Sequence, residues 1–268
     1  MIIYHGSKDL IKKPIYGIGN PKNDYGLGFY CTENLELAKE WACSNNETNG
    51  YANIYEIHLD NYKVLDLRKK EYTILNWLAL LLKFRTFDIN KPIASQAKDF
   101  IIKNYLINTD NYDIIIGYRA DDSYFSFAKD FINNTITLEQ LSKAMQLGDL
   151  GTQIVLKSKK AIESLKYIGY ERAIHLEYYT KRVNRDKKAR EQYFNNYRLN
   201  IDYHGTYIID IIREDKNNDV KSIWWYICRW CFSKHRNNVW ICLYLWIWSG
   251  FFLEHVHWFK YRKRNRKR

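Results

Sequence analysis

Three stretches near the N-terminus combine aromatic, glycine and polar residues in a way that could hold a flat cationic ring. They are Tyr4-His5-Gly6-Ser7, the segment Tyr25-Gly26-Leu27-Gly28-Phe29-Tyr30, and Trp41, which follows Tyr30 by eleven positions. Aromatic faces attract a cationic ring by stacking and by cation–π interaction, each worth about 1 kcal/mol. Glycine lets the backbone approach a ligand closely, and polar side chains can bind hydroxyl groups.

In order and spacing these stretches resemble the nicotinamide pocket of ADP-ribosyltransferases that carry a His-Tyr-Glu triad. Those enzymes cleave NAD at the nicotinamide–ribose bond and pass ADP-ribose to an acceptor. The resemblance implies that NAD is the substrate, that His5 binds the adenosine-side ribose, that Tyr30 is the triad tyrosine and that Trp41 stacks on the nicotinamide. It implies further NAD contacts by Gly6, Ser7 and Gly28.

The third triad position departs from the family pattern. Those enzymes have a glutamate at the start of a late strand, and the best match here is Gln153 in Gly151-Thr152-Gln153-Ile154-Val155-Leu156, with Glu163 as a fallback. A neutral Gln153 keeps a hydrogen bond to the ribose but loses the charge that opposes an oxocarbenium-like transition state, at a cost of about 1–2 kcal/mol. We therefore expect transfer of one ADP-ribose, or a weak or inactive enzyme, rather than polymer synthesis.

Roughly the first 170 residues also resemble the bacterial DUF3990 family. The resemblance rests on the N-terminal motifs, on 53–57, on 112–122 and on the Gln153 strand. Asp121 and Asp122 follow a predicted strand end, which suits either substrate contact or capping of the next helix. The resemblance implies a bacterial toxin or an effector in conflict with phage, with an unknown protein or nucleic-acid acceptor and an antitoxin as partners.

The elements around these residues predict an α+β fold, because strands and helices alternate without regular βαβ units. Strands are predicted at 2–5, 52–59, 113–117 and 153–157, and helices at 33–46, 71–87, 92–106, 123–133, 137–147, 158–166 and 170–198, with 206–212 as strand or helix. Thr32 is predicted to cap the first helix, and Thr137 with Gln140 to form a capping box. The resemblance implies an ADP-ribosyltransferase-like split antiparallel β-sandwich, with the NAD cleft between its halves and a helical insertion at 71–106.

Charge and composition divide the chain near residue 216. Of the net charge of +12, residues 216–268 carry 12 Lys and Arg against two Asp and Glu, which leaves 30 basic and 28 acidic residues in 1–215. The body, an ADP-ribosyltransferase-like domain over 1–215, is thus nearly neutral and has no global electrostatic reason to bind nucleic acid. Five cysteines, an odd number, and the lack of a signal-peptide pattern predict reduced thiols and a cytoplasmic location.

The tail 216–268 is basic and holds seven of the nine tryptophans. Three interpretations stay open: a membrane anchor, an aromatic module packed on the body, or a stretch read out of its ancestral frame, with the basic end disordered. The apolar run 239–253 would span roughly 22 Å, short of the ~30 Å hydrocarbon core, so membrane contact is weakly supported. The lone Cys228-x-x-Cys231 pair does not predict a metal site.

Three functional alternatives stay open beside the transferase. The first is an NAD glycohydrolase that uses water as the acceptor. The second is a tRNA 2′-phosphotransferase on the same scaffold, which would need a basic RNA-binding face that residues 1–215 do not obviously provide. The third is a catalytically degenerate module that binds NAD or a protein partner, which Gln153 in place of glutamate permits.

Overall fold

The computed structural model describes residues 1–43, 48–120, 122–149 and 151–217. Its contacts divide the chain into two units, Met1–Ile212 and Arg213–Arg268. The candidate residues belong to the first unit. The tail from 218 onwards, with the Cys228–Cys231 pair, lies outside the described residues, so its three interpretations stay predictions. Among the residues that are described, no helix is long and apolar enough to cross a membrane.

Strands and helices follow one another in mixed order, which confirms the predicted mixture of α and β structure. The strands are β1 Ile2–Ser7, β2 Phe29–Cys31, β3 Gly50–Glu56, β4 Val64–Asp66, β5 Ile114–Tyr118, β6 Thr152–Leu156 and β7 Lys166–Ala173. The helices are α1 Leu35–Ala42, α2 Ile74–Phe84, α3 Pro92–Tyr105, α4 Asp122–Ile132, α5 Leu138–Ala144, α6 Lys159–Glu163, α7 His175–Tyr193 and α8 at 208–217.

The strands form two sheets that meet at the N-terminal motifs. Sheet 1 has the order β1-β3-β7, and sheet 2 has the order β2-β6-β5-β4. Neighbouring strands are antiparallel, except that β4 and β5 are parallel. The backbones of Tyr4 and Thr32 exchange two hydrogen bonds of 2.8 and 2.9 Å, which connect β1 to the residue after β2. The His5 strand and the Tyr30 strand are therefore fixed next to each other.

The two sheets share a cluster of buried side chains. Ile3 and Tyr55 come from sheet 1, and Phe29, Ile114 and Ile154 come from sheet 2. Complete burial of such a side chain contributes about 1.5–3 kcal/mol each, so this cluster holds the sheets together. The structure thus has a two-sheet core as predicted, while its kinship with the ADP-ribosyltransferase fold stays a prediction.

Helices cover the opposite face of sheet 2. Ile115 and Val155 point away from the cluster between the sheets and pack in a second cluster with α2 and α3, the two helices predicted between 71 and 106. Helix α2 is buried over most of its surface, including the whole run 77–82. A helix that is apolar nearly all round packs inside a protein, here between a sheet and other helices.

Three local predictions need correction. Asn34, not Thr32, caps α1, since the Asn34 side chain accepts from Leu37 N while the Thr32 backbone is occupied by Tyr4. The helix predicted from 170 begins at His175, because 166–173 form β7, an edge strand that tolerates charged residues on its exposed side. The short strand β4 was not predicted. The capping box of Thr137 and Gln140 is confirmed.

A buried asparagine fixes the loop that follows β1. Asn53 lies on β3 opposite His5 and is fully buried. Its Oδ1 accepts from Ile11 N at 2.9 Å, and its Nδ2 donates to His5 O at 3.3 Å and to Asp9 O at 3.2 Å. One side chain thus satisfies three backbone groups of the segment that contains the His5 motif.

We expect Asn53→Leu to lower the free energy of unfolding of the full chain by about 1–3 kcal/mol, because it leaves buried backbone groups unpaired. Asn20→Leu is the matched control, since the Asn20 side chain accepts from Lys22 N in an exposed turn. Urea unfolding followed by circular dichroism measures both. Equal loss of stability in the two variants would contradict the role of Asn53.

Candidate functional site

The His5 ring is held in one tautomer. It stacks on Phe29 with ring centroids 4.2 Å apart, and its Nδ1 lies 2.7 Å from the carbonyl oxygen of Tyr30. A carbonyl only accepts, so Nδ1 must carry the proton, and Nε2 then presents a lone pair. Burial lowers the pKa of His5, although the hydrogen bond to Tyr30 opposes this shift. The neutral ring therefore offers an acceptor at Nε2.

The hydroxyl of Tyr30 is occupied by the loop that precedes it. It donates to Gly26 O at 2.6 Å and accepts from Tyr25 N at 3.1 Å. Burial raises the pKa of Tyr30 far above its usual range, so the hydroxyl stays protonated. Because its only proton is donated to Gly26 O, the Tyr30 hydroxyl has no donor left for a ligand, and the partly buried ring offers its face.

Both loop glycines are needed for packing. Gly26 has φ +75°, and a Cβ there would lie 2.7 Å from the Phe84 ring of α2. A Cβ on Gly28 would lie 2.7 Å from a Val155 methyl group on β6. The glycines thus let the loop lie flat against α2 and sheet 2. This packing accounts for the Gly-x-Gly spacing independently of the nicotinamide contact predicted for Gly28.

Two charged side chains anchor the same loop. Lys157 Nζ donates to Tyr25 O at 2.7 Å and to Leu27 O at 2.6 Å. Burial lowers the pKa of Lys157. At the start of the loop, the buried Asp24 accepts from Ala120 N at 2.9 Å. The Tyr30 ring therefore rests on a loop that is fixed to β6 and to the end of β5.

Helix α1 lies directly on the backbone of Gly6. A Cβ at Gly6 would overlap the carbonyl oxygen of Ala38 and come within 2.9 Å of Trp41 Cβ. Only glycine permits this approach. The contact brings the backbone of Trp41 next to Gly6, while the predicted stacking of Trp41 on nicotinamide stays a prediction.

One face of Trp41 is covered by Arg119. The guanidinium carbon of Arg119 lies 3.9 Å from the centroid of the indole, well within cation–π range. The indole Nε1 is buried and has no hydrogen-bond partner among the described residues. Trp41 therefore already binds a planar cation, and its N–H donor is unused.

Gln153 lies on β6 opposite Gly117, with 6% of its surface exposed. Its Oε1 is buried without a hydrogen-bond partner among the described residues. Tyr30 is opposite Val155, two residues along β6, so Tyr30 and Gln153 are diagonal neighbours about 7 Å apart on the helix-covered face of sheet 2. A buried acceptor of this kind needs a partner, which a water, an ion or a ligand can supply.

Residues 1–167 match the family model described as "Protein of unknown function (DUF3990)". The chain belongs to the DUF3990 family. No curated protein and no solved structure matches the chain. The DUF3990 match spans β1–β6 and α1–α6 and includes every candidate residue.

The other predicted site residues make local contacts or lie outside the described residues. Ser7 Oγ accepts from Asp9 N at 3.1 Å within a local turn. Asp122 opens α4, and Asp121 lies outside the described residues. Glu163 forms an exposed ion pair of 3.7 Å with Lys159 on α6, so it does not replace Gln153. Within the described part of the chain, no group of three His, Cys, Asp or Glu could hold a metal.

Sequence reasoning gave no role to Arg119 or Lys157. Arg119 follows the end of β5, where ligand-binding residues often lie, so its position was a usable signal. Nothing in the sequence showed that Lys157 reaches back to the loop before Tyr30, because the two are about 130 residues apart and meet only through sheet pairing.

An open groove of about 480 Å³ lies beside the start of α1. It is lined by Tyr4, by residues 32–36 at the junction of β2 and α1, and by Gly151 and Thr152 just before Gln153. Glu33 and Glu36 make its rim acidic.

The buried His5 should make stability depend on acid pH. Its folded-state pKa lies below the ordinary value of 6.5, so the unfolded chain binds the extra proton. Its contribution is complete above pH 6.5 and is lost as the pH falls through and below that value. We expect His5→Gln to flatten the fall in the free energy of unfolding between about pH 7 and pH 5.

Urea titrations of the full chain across that range measure the effect. A His58→Gln variant controls for the loss of a histidine at an exposed position. Nitrogen chemical shifts of the imidazole should report the Nδ1-protonated tautomer. An Nε2-protonated ring would contradict the hydrogen bond to Tyr30.

Proposed function

We propose that this DUF3990 domain is a mono-ADP-ribosyltransferase that cleaves NAD at the nicotinamide–ribose bond and transfers one ADP-ribose to a protein or nucleic-acid acceptor. A cytoplasmic bacterial toxin, kept in check by an antitoxin, is the setting that the resemblance to ADP-ribosyltransferases suggests. NAD is the substrate in this proposal, and no metal ion takes part in it.

The single observation that carries the proposal is the buried Oε1 of Gln153, which has no hydrogen-bond partner among the residues that the structure describes. A buried acceptor costs about 1–3 kcal/mol unless a donor reaches it. A ribose hydroxyl is such a donor. Gln153 is also the residue that takes the triad glutamate's position in the resemblance, so sequence and geometry favour the same atom.

The aromatic rings support a site for the nicotinamide. Tyr30 can offer its ring face, since the loop takes the proton of its hydroxyl. Trp41 carries a planar cation in the structure, which indicates that its face suits a cationic ring. A nicotinamide that is still bonded to ribose is both planar and positively charged.

His5 supports binding of the ribose on the adenosine side. With Nδ1–H directed to Tyr30 O, its Nε2 can accept a hydrogen bond from a ribose hydroxyl. The lowered pKa keeps this acceptor available near neutral pH. Gly6 would contribute only its backbone, since α1 fills the space of a side chain there.

Gln153 also bears on the rate. Positive charge develops on the ribose as nicotinamide leaves, and a carboxylate at this position would stabilise it while an amide does not. We expect Gln153→Glu in the full chain to increase nicotinamide release by about ten-fold or more, since each 1.36 kcal/mol of transition-state stabilisation is ten-fold in rate. Gln153→Ala should decrease it.

Nicotinamide release from NAD, measured by chromatography with and without cell lysate, distinguishes the functions. Gln146→Glu, at an exposed position, controls for added charge, and Tyr30→Ala removes the ring. Nicotinamide release that depends on Tyr30 and increases with lysate supports the transferase, because lysate supplies acceptors. Release that is the same with and without lysate indicates a glycohydrolase. NAD binding without release in any variant would overturn the enzyme and leave a binding module, which the neutral Gln153 favours as the second candidate.

A further inference from the structure

Arg119 and Trp41 form a contact that the proposed reaction does not use. Both residues are half-buried, and the guanidinium carbon of Arg119 lies 3.9 Å from the indole centroid. Guanidinium is flat and delocalised, and it stacks on aromatic faces as an aromatic cation does. A single indole face can hold only one such group at a time.

Arg119 follows β5, the strand that pairs with β6 at Gln153. Gln153 is opposite Gly117 on β5, and Tyr30 is its diagonal neighbour on β2. Arg119 is two residues beyond Gly117 and directly follows Tyr118, the last residue of β5. Its side chain therefore starts beside the end of β5 that pairs with Gln153 and ends on the indole of Trp41.

One buried polar atom on Trp41 and one on Gln153 have no hydrogen-bond partner within the part of the chain that the structure describes. Trp41 Nε1 is a donor without an acceptor, and Gln153 Oε1 is an acceptor without a donor. Arg119 cannot satisfy the indole N–H, because guanidinium has no acceptor. A planar cation that carries both a carbonyl oxygen and a hydrogen-bond donor has one group that suits Trp41 Nε1 and one that suits Gln153 Oε1.

We propose that Arg119 is an internal occupant of a binding site for planar cations on Trp41, and that a ligand binds there only after displacing the guanidinium. The ligand class is a cationic aromatic ring with an amide substituent, which covers the nicotinamide end of NAD. The identity of the natural ligand rests on the proposed function. The statement that Arg119 occupies the site rests only on its contact with Trp41.

The contact should weaken the apparent affinity for the ligand, because only molecules in which Arg119 has left Trp41 can bind it. Cation–π contacts of this kind shift equilibria by about two- to thirty-fold. Removing the guanidinium should therefore tighten the binding of a cationic ring by that factor. A residue that merely helped to grip the ligand would have the opposite effect when removed.

Isothermal titration of the full chain with nicotinamide methylated on its ring nitrogen, a stable planar cation, tests this directly. We expect Arg119→Ala to tighten binding by about two- to thirty-fold, and Arg119→Lys to tighten it less, because a compact ammonium stacks less well. Arg172→Ala, at an exposed position on β7, should change nothing. In a Trp41→Ala background, Arg119→Ala should have no effect.

Weaker or unchanged binding in Arg119→Ala, or no binding by any variant, would overturn the proposal. The Arg119→Lys variant keeps the charge and most of the side chain if Arg119→Ala does not fold. Release of nicotinamide from NAD separates the two proposals. Tighter binding without any release overturns only the transferase, and release with weaker binding in Arg119→Ala overturns only the role of Arg119.

Discussion

The candidate site depends on β6, which hydrogen-bonds to β2 on one side and to β5 on the other. This double pairing brings Tyr30 and Gly117 to the two sides of Gln153, although the three are far apart in the sequence. Side chains alternate between faces along a strand, so a shift of one residue would turn Gln153 into the core between the sheets. Ile154 and Leu156 hold the register, because they are fully buried in that core.

Packing explains the glycines more directly than ligand binding does. The missing side chain of Gly6 lets α1 pack on the backbone, that of Gly26 leaves space for Phe84 of α2, and that of Gly28 leaves space for Val155. Each contact positions an aromatic residue: the first sets Trp41, and the other two set the loop that binds the Tyr30 hydroxyl. In the proposed site, the glycines would therefore affect a ligand only through the rings that they position. Gln153 Oε1 differs from them, because it has no hydrogen-bond partner among the described residues.

Elements with strong periodicity could be predicted from the sequence. Helix α2 and strands β5 and β6 are apolar enough to identify, and the Thr137–Gln140 capping box is a local pattern. Predictions failed where tertiary pairing overrides local preference. Thr32 is a residue type that suits an N-cap, but its backbone pairs with Tyr4. The charged end of β7 has a helical sequence pattern, but it forms a strand because it pairs with β3.

The chemistry of the site divides in the same way. His5, Tyr30 and Gln153 could be singled out because a family pattern fixes their order. The tautomer of His5 and the stacking of Arg119 on Trp41 could not, since they depend on which strands are neighbours. Sheet order is a non-local property, and a single sequence without strand-pairing information does not encode it in any short pattern.

Gln153 and Arg119 limit the proposed reaction at different stages. Arg119 on Trp41 competes with the free ligand, so it acts on binding and would appear in KM. Gln153 lacks the charge that opposes an oxocarbenium ion, so it acts on the transition state and would appear in kcat. In the proposed reaction, a domain with both features would be slow at rest, and each restraint could be relieved without the other. A partner that drew Arg119 away from Trp41 would increase NAD binding while leaving the low turnover set by Gln153 unchanged.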